Sequence, residues 1–337
     1  MRIPRFGANR VLSLSLAGLT AMLTSLGCSS PPYQGPRAPL SGAEVPPEVE
    51  YWRGSFRVND GLTLYEQGWR PAGNARAAIV FVHGIKDHSS RFRELGVQFA
   101  HRGIAFYSFD LPGHGYSEGI RDHIDSIDTA LDGLSTLVQR VRERQPKAPL
   151  FVMGHGFGAT LAGIVDERGK SPTPLAGVIL VAPVLRGQVN RGERFGTRLS
   201  AIFTPRSEDL TINTADWSSD PVVVAALKSD PLIYEGQPTA ATKRELLRAS
   251  DEIKKRASAL TRPVLILCAG GDRLTPPELG RALHADIAAT DKQIEVYDGL
   301  FHDIFHEPAR EQAFATTLGW VNTHAAAALK PPTPAPK

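Results

Sequence analysis

Apolar positions between residues 49 and 326 fall in short runs separated by longer stretches of mixed polarity. Residues 77–82, 104–110, 150–153, 175–181, 264–269 and 294–297 are brief and nearly continuous in apolar character, as strands buried on both faces are. Between them, residues 91–101, 126–144 and 157–167 carry the spacing of helices. Ahead of the first run, residues 55–59 and 62–67 flank Asp60-Gly61, a pair suited to a tight hairpin. The alternation predicts an α/β fold: a mostly parallel central sheet, helices on both faces, and antiparallel strands at one edge.

The segment from about 184 to 258 interrupts this rhythm with arginines, prolines and amphipathic pieces. It is too long for a plain loop. It predicts a helical cap insertion over the strand ends, where open α/β sheets hold their ligands. Within it, Leu199, Ile202 and Phe203 suit either a lipid or the core, and the core is the expectation.

The chain ends read differently. Residues 1–27 start with Arg2, Arg5 and Arg10 and continue uncharged from 11 to 27, the layout of an export signal. The stretch closes on Ser25-Leu26-Gly27-Cys28, which resembles the lipobox of bacterial lipoproteins except that Ser25 stands where leucine is usual. That resemblance implies lipid attachment at Cys28; cleavage without lipid and an uncleaved anchor are the alternatives. Residues 28–48 hold Pro31, Pro32, Pro36, Pro39, Pro46 and Pro47, a tether, and 327–337 read as a disordered tail. The expected product is an exported, membrane-anchored lipoprotein with its folded domain at 49–326. Ser29 after Cys28 points, by lipoprotein analogy, to the outer membrane.

Composition narrows the function. The 337 residues carry a formal charge of +3, which the three leader arginines account for. The remainder is formally neutral, so no charge favours nucleic acid as a partner. There are two cysteines, Cys28 and Cys268, and Cys268 lies in an apolar run, so neither a disulfide framework nor a metal cluster is indicated.

Acyl-transfer hydrolases on such a sheet need an oxyanion loop, a nucleophile on a strand-to-helix elbow, an acid and a histidine, in that chain order. Phe81-Val82-His83-Gly84-Ile85 follows an early strand, and the Ile85 amide is positioned to serve an oxyanion. Met153-Gly154-His155-Gly156-Phe157-Gly158-Ala159 has the G-x-S-x-G layout with glycine in the central place, and Phe157 would give the second amide. Asp272 follows the 264–269 run and His302 the last strand. Each residue alone has a bland role, as a helix cap or a solvated side chain; the order of all four does not. Two rival patterns fail on context. Gly154-x-Gly156-x-x-Ala159 fits a dinucleotide fingerprint, but after the third core strand and without the ribose-binding acid. His302 and His306 imitate a zinc helix, yet Pro308 predicts that the helix begins only after them. No cofactor or metal is expected.

With Val82-His83-Gly84, the stretch Asp110-Leu111-Pro112-Gly113-His114-Gly115-Tyr116-Ser117-Glu118-Gly119, the elbow, Asp230-Pro231-Leu232 and Phe301-His302 with Glu307-Pro308, the chain resembles monoacylglycerol lipases and lysophospholipase-like α/β-hydrolases of the serine aminopeptidase group. The resemblance implies an α/β-hydrolase fold, Asp272 as triad acid, His302 as base, Ile85 and Phe157 as oxyanion amides, and a small acyl ester or lipid-like ligand. The family carries serine where this chain has Gly156. Three readings follow: a non-catalytic relative that keeps the pocket and binds an acyl or other apolar ligand or a protein partner, a hydrolase whose water is activated by His302 and Asp272, or an active lipase in which Gly156 is an engineered or erroneous residue.

Overall fold

The computed structural model describes residues 45–169, 171–185, 191–208 and 210–329. The export signal, Cys28, most of the tether and the end of the tail lie outside the described residues.

Two strands, β1 (Val49–Arg57) and β2 (Thr63–Pro71), pair antiparallel with Arg57 opposite Thr63. The connection turns at Gly61, whose φ of 88° suits glycine, and Asp60 accepts the Leu62 amide at 3.2 Å. Six further strands follow: β3 (Ala77–Val82), β4 (Ile104–Phe109), β5 (Leu150–His155), β6 (Gly177–Val181), β7 (Val264–Ala269) and β8 (Lys292–Tyr297). They form one sheet in the order β1-β2-β4-β3-β5-β6-β7-β8, parallel from β4 to β8. Among the described strands β2 alone runs against the common direction, antiparallel to both β1 and β4.

Every residue of β3 to β7 is buried, which explains their unbroken apolar character. Alternation splits β3 between two cores. Ala78, Val80 and Val82 face a layer formed by α2 (Ile127–Arg144), α3 (Phe157–Val165), α6 (Ala240–Arg256) and α7 (Pro277–Asp286). Ala77, Ile79 and Phe81 face α1 (Arg93–His101) and α8 (Arg310–Ala328). The last helix thus runs two residues past the expected domain end at 326. The start of α2 obeys local chemistry, with the Ser126 side chain accepting the Asp128 amide at 3.1 Å.

Between β6 and β7 the chain forms α4 (Arg191–Phe203), α5 (Pro221–Ser229) and α6. The stretch read as one cap divides in two. Leu246, Ala249 and Ile253 of α6 join the sheet core, and Ile253 fills the space that a side chain on Gly163 of α3 would need. The part before α6 has a small core of its own, Trp217, Leu227 and Ile233. It is pinned by Lys86, which donates to the carbonyls of Tyr234 and Gly236 at 2.7 and 2.5 Å, and by His88 against Asp230 at 2.9 Å. The core expectation for Leu199, Ile202 and Phe203 is not met: they are 42, 66 and 75% exposed. Helix α4 turns Thr197 and Ala201, one turn apart, inward instead.

Candidate active site

The elbow is built by close approach. A side-chain carbon on Gly154 would lie 2.2 Å from the Gly158 backbone, and one on Gly158 would lie 2.1 Å from the Val82 carbonyl oxygen. Only glycines let β5, the start of α3 and the end of β3 meet in this way. Gly156 caps α3 with φ 57° and ψ −119°, a region that side chains other than hydrogen disfavour. Its amide donates to the Val181 carbonyl at 2.9 Å, and its carbonyl accepts the Val184 amide at 3.1 Å. Phe157 is therefore the first residue of α3, and its amide has no acceptor within the helix.

His83 shapes the neighbouring loop. Its Nδ1 lies 2.7 Å from the Gly84 carbonyl and its Nε2 accepts the Leu111 amide at 2.9 Å. These bonds assign the neutral ring with the proton on Nδ1. Burial pushes its pKa down to about 4, against the pull of Asp110. The Gly84 Cα consequently stands 3.6 Å from the place a Gly156 side-chain carbon would take, and Ile85 follows it along the cleft.

The characteristic stretch from Asp110 to Gly119 stays out of the cleft and staples the fold. Asp110 accepts the Ser89 and Tyr116 amides at 2.7 and 2.8 Å, while Glu118 accepts the Thr63 amide at 2.7 Å. Ser117 donates to the Asp110 carbonyl at 2.5 Å and accepts the Tyr65 amide at 2.9 Å.

Asp272 and His302 meet across two loops: His302 Nδ1 lies 2.8 Å from Asp272 Oδ2. The other carboxylate oxygen accepts the Leu274 and Thr275 amides, both at 2.8 Å, and the Thr275 hydroxyl donates to Oδ2 at 2.6 Å. Burial alone would raise the Asp272 carboxyl, but the partnership with His302 and Thr275 outweighs it and holds it below its usual range. Thr275 was not legible as a site residue. Thr275→Val should cost about 1.5 kcal/mol at pH 7, the low end for a bond to a charged group. The folded carboxyl would rise towards its unfolded value, so the deficit should shrink as the pH falls below about 4. Urea midpoints at pH 7 and at about pH 3, below the unfolded carboxyl's value, check both.

His302 Nε2 points at the elbow. It lies 3.3 Å from the place of a Gly156 side-chain carbon. A hydroxyl on that carbon would come within hydrogen-bond reach, which is the geometry a nucleophile and its base require. Gly84, Ile85, Gly156, Phe157, Thr275 and His302 line one cleft of about 250 Å³, whose remaining lining residues are mostly apolar. Asp272 stands behind His302. The candidate residues within the described part of the chain thus converge; Cys28 lies outside it.

A buried charge cluster supports His302 from behind. His155 Nε2 is bonded to the His302 carbonyl at 3.0 Å, while its Nδ1 faces Asp87 at 3.7 Å, too far for a hydrogen bond. Arg91 bridges Asp87, at 2.9 Å, and Asp303. His306 joins them, with Nδ1 2.7 Å from Asp303 and Nε2 2.9 Å from the Arg91 carbonyl. His302 and His306 therefore serve different partners. Burial alone would raise both aspartates, yet Arg91 depresses them, Asp303 well below its usual value. Burial opposes a charged His155, but Asp87 and Asp303 raise it on balance.

The family described as "Serine aminopeptidase, S33" matches residues 73–309. A monoacylglycerol lipase of Mycolicibacterium smegmatis is 30% identical over 277 residues, covering 80% of this chain and 96% of that protein. The monoglyceride lipase of Rattus norvegicus is 26% identical over 271 residues, covering 79% and 89%. Among solved structures, the monoacylglycerol lipase of Paleococcus ferrophilus superposes with a TM-score of 0.67 at 24% identity, covering 82% of this chain and 99% of that one. A soluble variant of the Saccharomyces cerevisiae monoglyceride lipase, bound to a substrate analogue, gives 0.71 at 20% identity, covering 85% and 99%.

Proposed function

The chain belongs to the serine aminopeptidase S33 family as a monoacylglycerol lipase-like α/β-hydrolase, and from that premise we propose that it binds an acyl-type ligand in the Gly156 cleft without efficient turnover. One observation carries the reading: Gly156 holds the elbow conformation while His302 Nε2 lies 3.3 Å from the place of a side-chain carbon that glycine lacks. An amide-lined pocket, a base and an acid remain, and the attacking oxygen is gone. Loss of the serine from a comparable triad lowers kcat by about 10⁶, roughly 8 kcal/mol of barrier.

A second reading draws on the intact Asp272–His302 pair, bonded at 2.8 Å. A water beside Gly156 could pass its proton to Nε2 and attack the ester carbon, giving slow hydrolysis. The two readings separate in one experiment. Titration of the full chain with a monoacylglycerol ether, which cannot be cleaved, should show saturable binding. The corresponding ester should be recovered intact over many binding lifetimes. Ester cleavage that disappears in His302→Gln would favour the water route, and absence of ether binding would remove the binding reading.

A further inference from the structure

We propose that the cleft is a receptor for the free carboxylate of a medium-chain fatty acid, held between protonated His302 and the amides of Ile85 and Phe157. This rests on the acyl-binding reading and names the ligand. A carboxylate has two equivalent anionic oxygens, whereas a ground-state ester asks only for donors to its carbonyl. The site offers two places for anionic oxygen. The first is the start of α3, a nine-residue helix with no acidic residue in its first turn, where backbone amides and the helix dipole favour negative charge. The second is the space beside Gly156, bordered by His302 Nε2 at 3.3 Å, its Cε1 at 3.8 Å and the Gly84 Cα at 3.6 Å from the absent side-chain carbon. A serine there would fill the second place with its own hydroxymethyl group.

His302 supplies the independent evidence. It is 95% buried by its 5% exposure, and among the described residues no group is bonded to its Nε2, which borders the cleft. Its Nδ1 is held by Asp272, so a proton on Nε2 can go only towards the cleft. The lining agrees in chemistry. Leu185, Leu210, Ile212 and Leu246 suit an alkyl chain, and among the described residues Lys243 and Arg273 are the Lys and Arg of the lining, with no Asp or Glu beside them. Arg273 also meets Asp216 at 3.2 Å, which offsets part of its charge. The volume, about 250 Å³, lies just below the range of about 300–1,000 Å³ that holds drug-sized ligands, which favours a medium chain over a long one.

Binding involves no covalent step. The acid arrives as its anion, one proton from solvent is carried on His302 Nε2, and the ring donates it in a charge-assisted hydrogen bond. The groups facing His302 are Asp272 and Thr275 after β7, His155 at the end of β5 with Asp87 and Asp303 behind it, and Trp217 from the cap. Lys243 and Arg273 complete the charges around the cleft.

The test is calorimetric titration of the full chain with decanoate and with an uncharged decyl glycerol ether, in buffers of different ionisation heat, from pH 6 to pH 9. The expected result is tighter binding of decanoate, uptake approaching one proton at high pH, and affinity that falls as the pH rises. His302→Gln should lower the decanoate-to-ether affinity ratio by about ten- to a hundredfold and abolish the proton uptake. Gly156→Ala, which fills the second oxygen's place, should lower the same ratio. Ether binding equal to or tighter than decanoate, without proton uptake, would overturn the carboxylate proposal and leave the acyl-binding reading standing. Binding of neither would overturn both.

Discussion

Gly156→Ser is expected to raise turnover of a monoacylglycerol or a short aryl ester by about 10⁵–10⁶-fold, the inverse of the loss seen when a serine is deleted from a working triad. The expectation depends on how little else must change beyond a shift of a few tenths of an ångström at His302, which the new carbon meets closely. The elbow backbone already holds φ 57° and ψ −119°, the Asp272–His302 bond is 2.8 Å, and Nε2 lies 3.3 Å from the new carbon. On the proposed reading, the α3 start and the Gly84-Ile85 loop beside His83 would hold the developing oxyanion. The gain should come with a loss of stability. A non-glycine residue in this backbone region costs about 1–3 kcal/mol, so the variant should melt below the parent while outperforming it. Initial rates and melting curves on the same two preparations check both halves. A rate unchanged by the substitution would mean that the cleft no longer places an ester carbonyl at the elbow.

Arg91→Met is expected to cost about 3–5 kcal/mol at pH 7, because it leaves the fully buried carboxylates of Asp87 and Asp303 without their shared counter-ion. Both carboxyls are depressed in the parent fold. Groups of that kind contribute stability that is present above the unfolded value, near pH 3.9, and lost as the pH falls through the folded value. Without Arg91, burial would instead raise them. The deficit should then be largest at neutral pH and shrink as the pH falls towards 4, which urea titrations across that range measure. The damage should reach the site as well. Asp87 faces His155, and His155 holds the His302 carbonyl at 3.0 Å. In a Gly156→Ser background, Arg91→Met should therefore lower kcat more than it raises KM, the mark of a displaced base rather than a blocked pocket.

The architecture was legible where burial leaves a mark on local sequence. The runs at 77–82 and 264–269 match β3 and β7 to the residue, because strands covered on both faces admit only apolar side chains. Asp60-Gly61 marked the hairpin for an equally local reason. The face that a helix turns inward was not legible. Helix α4 shows apolar residues at helical spacing, but spacing does not say whether a neighbour covers them, and Leu199, Ile202 and Phe203 are exposed. Nor did the sequence reveal that α6 belongs to the sheet layer, since that depends on Ile253 meeting Gly163. The charge cluster was equally hidden. Asp87 and Arg91 stand four apart, an ordinary helical pairing, while Asp303 joins Arg91 from 212 residues away. Thr275 looks like any residue near a helix start until its hydroxyl is placed on Asp272.

Reaction with a fluorophosphonate probe tests most directly the central claim that the site is whole except for its nucleophile. The chain as it stands and Gly156→Ser should be treated side by side and the modified peptide mapped. No adduct is expected on the parent, and position 156 of the variant should be modified rapidly and stoichiometrically, with His302→Gln suppressing the reaction. Stoichiometric labelling of the parent in this cleft would contradict it, since some other residue would then be supplying the nucleophile that Gly156 cannot.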